Sequence, residues 1–218
     1  MRVGTTLRAA AAAAGLALAA RAGADPAWSI RVLGGGAWSP RTRLDVEQNG
    51  EPDIRVQASW DHKPFEAPLY WVVGFARRNR GREWSLELIH DKLYLENPPP
   101  EVQEFTLSHG WNLLLAGYGY EVQPGLWIRG GAGPVISHPE NIVRGRTNVQ
   151  NTGVDGYHLS GAALWAGLEE RISFWRMEVI LGVRGTAAYA EVPIAGGFAR
   201  VPNLAFHANL GLAFDLVR

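Results

Sequence analysis

The residues of this chain best equipped for chemistry sit in one short stretch, "IHDKLYLENPPPEVQEFTLSHGW", from Ile89 to Trp111. It carries two histidines, His90 and His109, with Asp91 and Ser108 beside them. A hydroxyl, an imidazole and a carboxylate are the parts of an activated nucleophile when they lie within hydrogen-bond reach. Two adjacent neutral imidazoles can instead satisfy one another, hold a metal ion, or meet polar groups on a partner. What such residues can do depends on the element that positions them.

That element reads as a β-hairpin. Apolar residues recur at every second position on each side of Pro98-Pro99-Pro100, and proline cannot donate to a strand ladder, so the turn falls there. If position i faces 199 − i, Tyr94 meets Phe105, Leu88 meets Trp111, His90 meets His109 and Asp91 meets Ser108. In that register both imidazoles lie on the apolar parity. Three readings follow: a bulge turns them inward, they meet a protein or a metal, or they are catalytic. Ser108 and His109 point to opposite faces of one strand, which weighs against catalysis.

Alternation of this kind recurs after Trp28 and gives eight strands. Trp28, Ile30 and Val32 alternate with Ser29 and Arg31; Trp71, Val73 and Phe75 with Val72 and Gly74. Phe105, Leu107, Trp111 and Leu113 alternate with Thr106, Ser108 and Asn112; Tyr157, Leu159 and Trp165 with His158 and Ser160. Trp175, Met177, Val179 and Leu181 oppose Arg176 and Glu178, and Phe206, Leu210, Leu212, Phe214 and Leu216 oppose His207, Asn209 and Asp215. Connections at 79–82, 121–125 and near Ser173 are short. Those at 39–68, 96–101, 138–156 and 193–203 are mostly longer. The segment 53–60 also alternates and reads equally as an extra strand or as loop.

Composition narrows the classes. The formal net charge is zero, which leaves no basic field for nucleic acid, and the absence of cysteine excludes disulfides and thiolate metal sites. Residues 1–24 combine arginines, an alanine-rich apolar run and Ala22-Gly23-Ala24, the pattern of a secretory signal peptide with cleavage after Ala24. The mature segment, 25–218, then has 18 basic and 21 acidic side chains. It has no apolar stretch long enough for a transmembrane helix. The residues opposite the apolar parity are mostly small, and lysine occurs only at Lys63 and Lys92, too few long charged chains for a water-exposed exterior. Trp28, Trp84, Trp127, Trp175, Tyr118 and Tyr120 fall toward strand ends, where aromatic girdles meet the membrane interfaces.

These features predict an all-β chain, an eight-stranded antiparallel up-and-down transmembrane β-barrel with its apolar face to lipid. Its inward parity collects Arg31, Glu87, Arg129, Arg176, Glu178, Arg184, His207 and Asp215. An eight-stranded barrel is just wide enough for side chains to fill, so these charges are expected to pair as a lumen network. No Walker, dinucleotide, zinc-protease or G-x-S-x-G motif is present, and no cofactor or metal site is assigned.

The last strand ends in "NLGLAFDL", with Asn209, Gly211, Phe214 and Leu216 in the order polar, glycine, aromatic, apolar. This resembles the C-terminal signal of bacterial outer-membrane barrels, and departs from it in ending Val217-Arg218. With eight strands and a signal peptide, the chain resembles the small eight-stranded outer-membrane barrels of the OmpA, OmpX or OmpW type. The resemblance implies an outer-membrane location, contact with outer-membrane lipid and lipopolysaccharide, and recognition by the barrel-assembly machinery through those four residues. The function expected is a structural or interaction scaffold with a filled interior, with an envelope protein as a possible partner. The alternatives are a lipid A-modifying enzyme (a deacylase or acyltransferase) and a narrow solute channel. The His-x-Ser-Asn pattern of the deacylases is absent.

Overall fold

Two-residue turns set the lower end of the molecule. Arg80 and Gly81 both take positive φ, 49° and 70°, the turn whose twist matches that of a hairpin's flanking strands. Pro124-Gly125 turns with Gly125 at φ 85°, a proline followed by a residue that tolerates the left-handed region. The chain is seen in a computed structural model that describes residues 27–149 and 156–217. The signal-peptide expectation for 1–24 lies outside the described residues.

Thirteen strands are described: β1 Ala27–Trp38, β2 Thr42–Gln48, β3 Ile54–Ala58, β4 Trp60–Asp61, β5 Trp71–Asn79, β6 Arg82–Leu95, β7 Val102–Gln123, β8 Leu126–Ser137, β9 Glu140–Val143, β10 Arg146–Val149, β11 His158–Phe174, β12 Met177–Ile194 and β13 Gly197–Val217. Eight of them, β1, β5, β6, β7, β8, β11, β12 and β13, pair antiparallel in that order, and β13 returns to β1 to close the ring. Closure leaves the ring no unpaired edge.

The other five form a crown at the upper end. The ambiguous segment 53–60 forms β3 and the start of β4; the β2–β3 hairpin joins β13, β4 joins β6, and the β9–β10 hairpin joins β7. Arg144 donates to the Pro52 carbonyl (2.7 Å), and Arg146 pairs with Glu51 (2.9 Å), tying the two hairpins together. The connection at 193–203 is not a long loop: β12 and β13 run on to a two-residue turn at Ala195-Gly196. Apolar packing across the crown, with Leu44, Val46, Val143, Val192 and Ile194 all buried, makes longer paired strands more favourable there than irregular chain.

The outer wall is apolar. Ile30, Val32, Val73, Phe75, Leu86, Leu164, Leu168, Leu181, Val183, Leu210 and Leu212 are all exposed on it. Among the described residues no helix is long and apolar enough to cross a membrane; the strands are the spanning elements. Trp28 stacks on Phe75 (4.8 Å) and Trp84 meets Tyr118 edge-on (4.8 Å) near the lower turns, while Trp38 stacks on Phe206 (5.9 Å) toward the upper end. Aromatic pairs at two levels flanking an apolar band are the girdles of a barrel of the outer-membrane type.

Four aromatic assignments need correction. Trp127, expected in a girdle, is buried inside. Phe105, Trp111 and Trp165, expected on the lipid face, are also buried. In β11 a bulge between Leu159 and Gly161 shifts the parity, so Leu164 and Leu168 face out. In β7 the upper interior is itself apolar, so bulky residues occupy both faces and alternation loses its meaning.

Candidate functional site

The interior is organised in levels. Nearest the turns lies an ion network of four arginines and three glutamates: Arg31, Arg129, Arg171 and Arg184 with Glu83, Glu87 and Glu169. Arg31 reaches Glu83 (2.6 Å) and Glu87 (3.1 Å), and Arg129 reaches Glu87 and Glu169 (both 2.5 Å). Arg171 holds Glu83 and Glu169 (both 2.7 Å), and Arg184 holds Glu87 (2.7 Å). Each comes from a different inward position of β1, β6, β8, β11 or β12, and all are buried. Buried charges persist only when paired and hydrogen-bonded, a condition met here through shared carboxylates.

Aromatic faces complete the packing. The guanidinium carbons of Arg129 and Arg184 lie 5.1 and 5.0 Å from the Trp165 ring centre, and that of Arg171 lies 4.3 Å from Trp127. Room for the long chains comes from glycine. A Cβ on Gly74 would stand 2.9 Å from side-chain carbons of both Arg31 and Glu87, and one on Gly117 would stand 2.7 Å from the Trp165 ring. Below the network, Arg78 pairs with Glu178 (2.6 Å) and Asp215 (3.5 Å) at the lower mouth.

The next level is joined by hydrogen bonds. Asn209 donates to the Tyr70 hydroxyl (3.0 Å), and His207 sits between Tyr70 (3.1 Å) and Thr186 (3.0 Å). Beside them His62 Nδ1 donates to Asp91 (2.9 Å), and Ser39 Oγ lies 2.8 Å from His62 Nε2. With Nδ1 protonated toward the carboxylate, Nε2 is free to accept the Ser39 proton. Asn203 Nδ2 donates to Ser39 Oγ (3.0 Å). This is the order of a serine–histidine–aspartate relay. Ser39, His62 and Asp91 are all buried. His62 and Tyr70 are the buried ends of the segment whose middle, 65–69, is exposed, so the relay also pins that segment into the barrel mouth.

The third level is at the rim. His109 on β7, His138 after β8 and Glu140 at the start of β9 converge. Their candidate ligand atoms lie within 4.8 Å of one another. Burial, then neighbouring His109, pulls the pKa of His138 below the usual imidazole range, which favours its neutral form.

Of the eight residues expected in the lumen network, Arg31, Glu87, Arg129 and Arg184 lie within the ion cluster, and His207 lies one level above it. Glu178 and Asp215 lie at the lower mouth with Arg78. Arg176 is a correction: it is exposed in the β11–β12 turn, donating to the Asp215 and Leu216 carbonyls. A turn residue takes no part in the strand's alternation, and its side chain follows the nearest acceptors.

The histidine pairing is also corrected. His90 faces Asn112, not His109, and its Nδ1 lies 2.8 Å from Asn112 Oδ1. Asp91 faces Trp111, not Ser108. The paired positions sum to 202 below a bulge between Asp91 and Leu93 and to 200 above it, which moves the faces away from the 199 register. His90 is stacked on Trp71 (5.2 Å) and buried. His109 is exposed and 3.0 Å from Glu140; Ser108 donates to Glu140 (2.8 Å). Ser108 Oγ also lies 3.1 Å from His109 Nδ1, so these two candidates meet although alternation sets them on opposite faces, while His90 and Asp91 bond elsewhere, to Asn112 and His62.

Sequence reasoning missed Glu83, Glu169 and Arg171 in the ion cluster. Glu83 shares parity with Glu87, assigned inward, so extending that stripe along β6 would have found it. Glu169 and Arg171 share the parity of Trp165, expected on the lipid face, and the bulge between Leu159 and Gly161 turns that parity inward. The Ser39–His62–Asp91 relay joins positions with no local sequence signature.

No protein-family model and no curated protein sequence matches the chain. Among solved structures, Ail, the attachment invasion locus protein of Yersinia pestis, is similar at 9% identity and a TM-score of 0.40, covering 87% of this chain and 97% of that one. Neisserial surface protein A, NspA, is similar at 8% identity and a TM-score of 0.41, covering 88% and 97%. Ail in complex with the heparin analogue sucrose octasulfate gives 10% identity and a TM-score of 0.41, covering 87% and 97%. Likenesses of this size carry no inference about ligand or partner. The fold stands on the strand pairing itself: a closed eight-stranded antiparallel β-barrel of the outer-membrane type.

Proposed function

We propose that this chain is a non-conducting outer-membrane barrel that serves as a structural or interaction scaffold, presenting its crown outside the membrane to an envelope partner. The observation that carries this reading is the occupied lumen: seven paired charges fill the spanning level and the crown hairpins are tied together above them. A lumen packed in this way leaves the wall and the crown as the surfaces available for contact. The wall meets outer-membrane lipid and lipopolysaccharide. Export through a signal peptide ending at Ala24, and assembly through Asn209, Gly211, Phe214 and Leu216, belong to the same proposal. Phe214 and Leu216 lie on the exposed face of β13 while Asn209 is buried, a division that suits a strand read by its outward side. Fractionation into the outer membrane with heat-modifiable gel mobility, and an unchanged lipid A mass spectrum on expression, is the result expected. Soluble periplasmic protein would overturn the location, and loss of an acyl chain from lipid A would overturn the scaffold.

One observation favours a second reading, acyl hydrolysis: the 2.8 and 2.9 Å contacts that align Ser39, His62 and Asp91. Against it stands the burial of Ser39, at 7% exposure. Labelling of the folded chain with a fluorophosphonate, abolished by Ser39→Ala, is the result that reading requires.

A further inference from the structure

We propose that His109, His138 and Glu140 form a three-ligand site for a divalent first-row metal ion, zinc foremost, on the outer rim of the barrel. His109 Nδ1 lies 3.0 Å and His138 Nδ1 4.0 Å from Glu140 Oε1, and the three ligand atoms all fall within 4.8 Å of one another. Donor atoms bound at about 2.0–2.2 Å around one tetrahedral zinc stand roughly 3.3–3.5 Å apart. Side-chain shifts of about an ångström bring the set to that spacing. Two imidazoles and a carboxylate suit zinc and its neighbours better than calcium or magnesium, which take oxygen ligands.

A second observation points to a ligand. His138 is 3% exposed, yet its Nδ1 has no hydrogen-bond partner among the described residues. Buried polar nitrogens are rarely left unsatisfied. This one faces a carboxylate oxygen across a gap too long for a hydrogen bond, the place a cation would occupy. The ring cannot turn easily to relieve it. A Cβ on Gly156 would lie 2.1 Å from His138 Nε2, so that nitrogen abuts the chain there, and Tyr157 packs edge-on at 5.0 Å.

The surroundings orient the ligands in the manner expected around a metal. Ser108 donates to Glu140 Oε2 (2.8 Å), fixing the carboxylate so that Oε1 turns to the histidines. Tyr157 donates its hydroxyl to the His109 carbonyl (3.0 Å), holding the strand end. The ligands come from β7, the β8–β9 connection and β9, so a bound ion joins the barrel wall to the crown hairpin. His109 is exposed, which leaves a coordination position on its side for water or an outside donor.

The test uses the full chain, without a histidine tag, folded in detergent micelles, and zinc alone as the probe, read by equilibrium dialysis and metal analysis. The result expected is one zinc per folded chain, with affinity reduced about tenfold or more in His109→Ala and in Glu140→Gln. Heat-modifiable mobility checks that each variant has folded. Should Glu140→Gln fail that check, His109→Ala decides alone, since its side chain is exposed and its loss leaves the barrel core untouched. No stoichiometric binding at about 1 mM zinc, a very weak affinity, or binding unchanged in His109→Ala, would overturn the site.

Discussion

The two halves of the barrel interior solve one problem in opposite ways. Toward the short turns, four guanidiniums and three carboxylates share one another across five strands. Toward the crown, Leu33, Val72, Ile89, Trp111, Leu113 and Val135 fill the same cross-section, with the hydrogen-bonded Ser39–His62–Asp91 and Tyr70–His207 groups set among them. The lower half has lipid on its outside, and a polar interior keeps the two faces of each strand distinct. The upper half carries additional strands, and an apolar interior there also packs the crown. An inner face opposite in character to the outer one specifies strand register strongly. One that matches it does not.

The largest effect is expected where a charge loses its partners. Glu87→Ala leaves Arg31, Arg129 and Arg184 each without one carboxylate, and should cost about 4 kcal/mol. Urea unfolding of the folded barrel, followed by tryptophan fluorescence, measures it. The double variant Glu87→Ala/Arg184→Ala should cost less than the sum of its single changes, since it removes one charge of each sign. Additivity would break the account of a shared network.

In the apolar half, Leu113→Ala should cost about 3 kcal/mol through lost burial and a residual cavity, with little change on adding salt. His62→Ala should cost about 2 kcal/mol, because it strands a buried carboxylate and a buried hydroxyl. A far smaller loss would mean that the relay does not anchor the segment ending at Tyr70. The same unfolding assay reads both. Smallest of all, Arg43→Ala breaks an exposed pair with Asp45 and should change stability by less than about 0.5 kcal/mol.

The same contrast sets what could be read from the sequence. Along β1 and β13 the inner residues Ser29, Arg31, His207 and Asn209 differ in kind from the outer Ile30, Val32, Leu210 and Leu212, and alternation alone assigns their faces. Along β7, Trp111 and Leu113 face in while Leu114 and Tyr118 face out. Hydrophobicity there does not separate the faces, and the bulges beside Lys92 and Ser160 shift the parity without any marker in composition. Hence four members of the ion network were legible, whereas the His90–His109 pairing was not. The relay joins Ser39, His62 and Asp91, and the rim cluster joins His109, His138 and Glu140 across two connections. Only the three-dimensional path of the chain brings such residues together.

That the interior is filled and closed is the central claim, and planar-bilayer recording of the folded chain tests it most directly. The intact barrel should give no resolved conductance steps at voltages where Glu87→Ala/Arg184→Ala gives brief openings through the space those side chains leave. Reproducible unitary steps from the intact chain would contradict the claim.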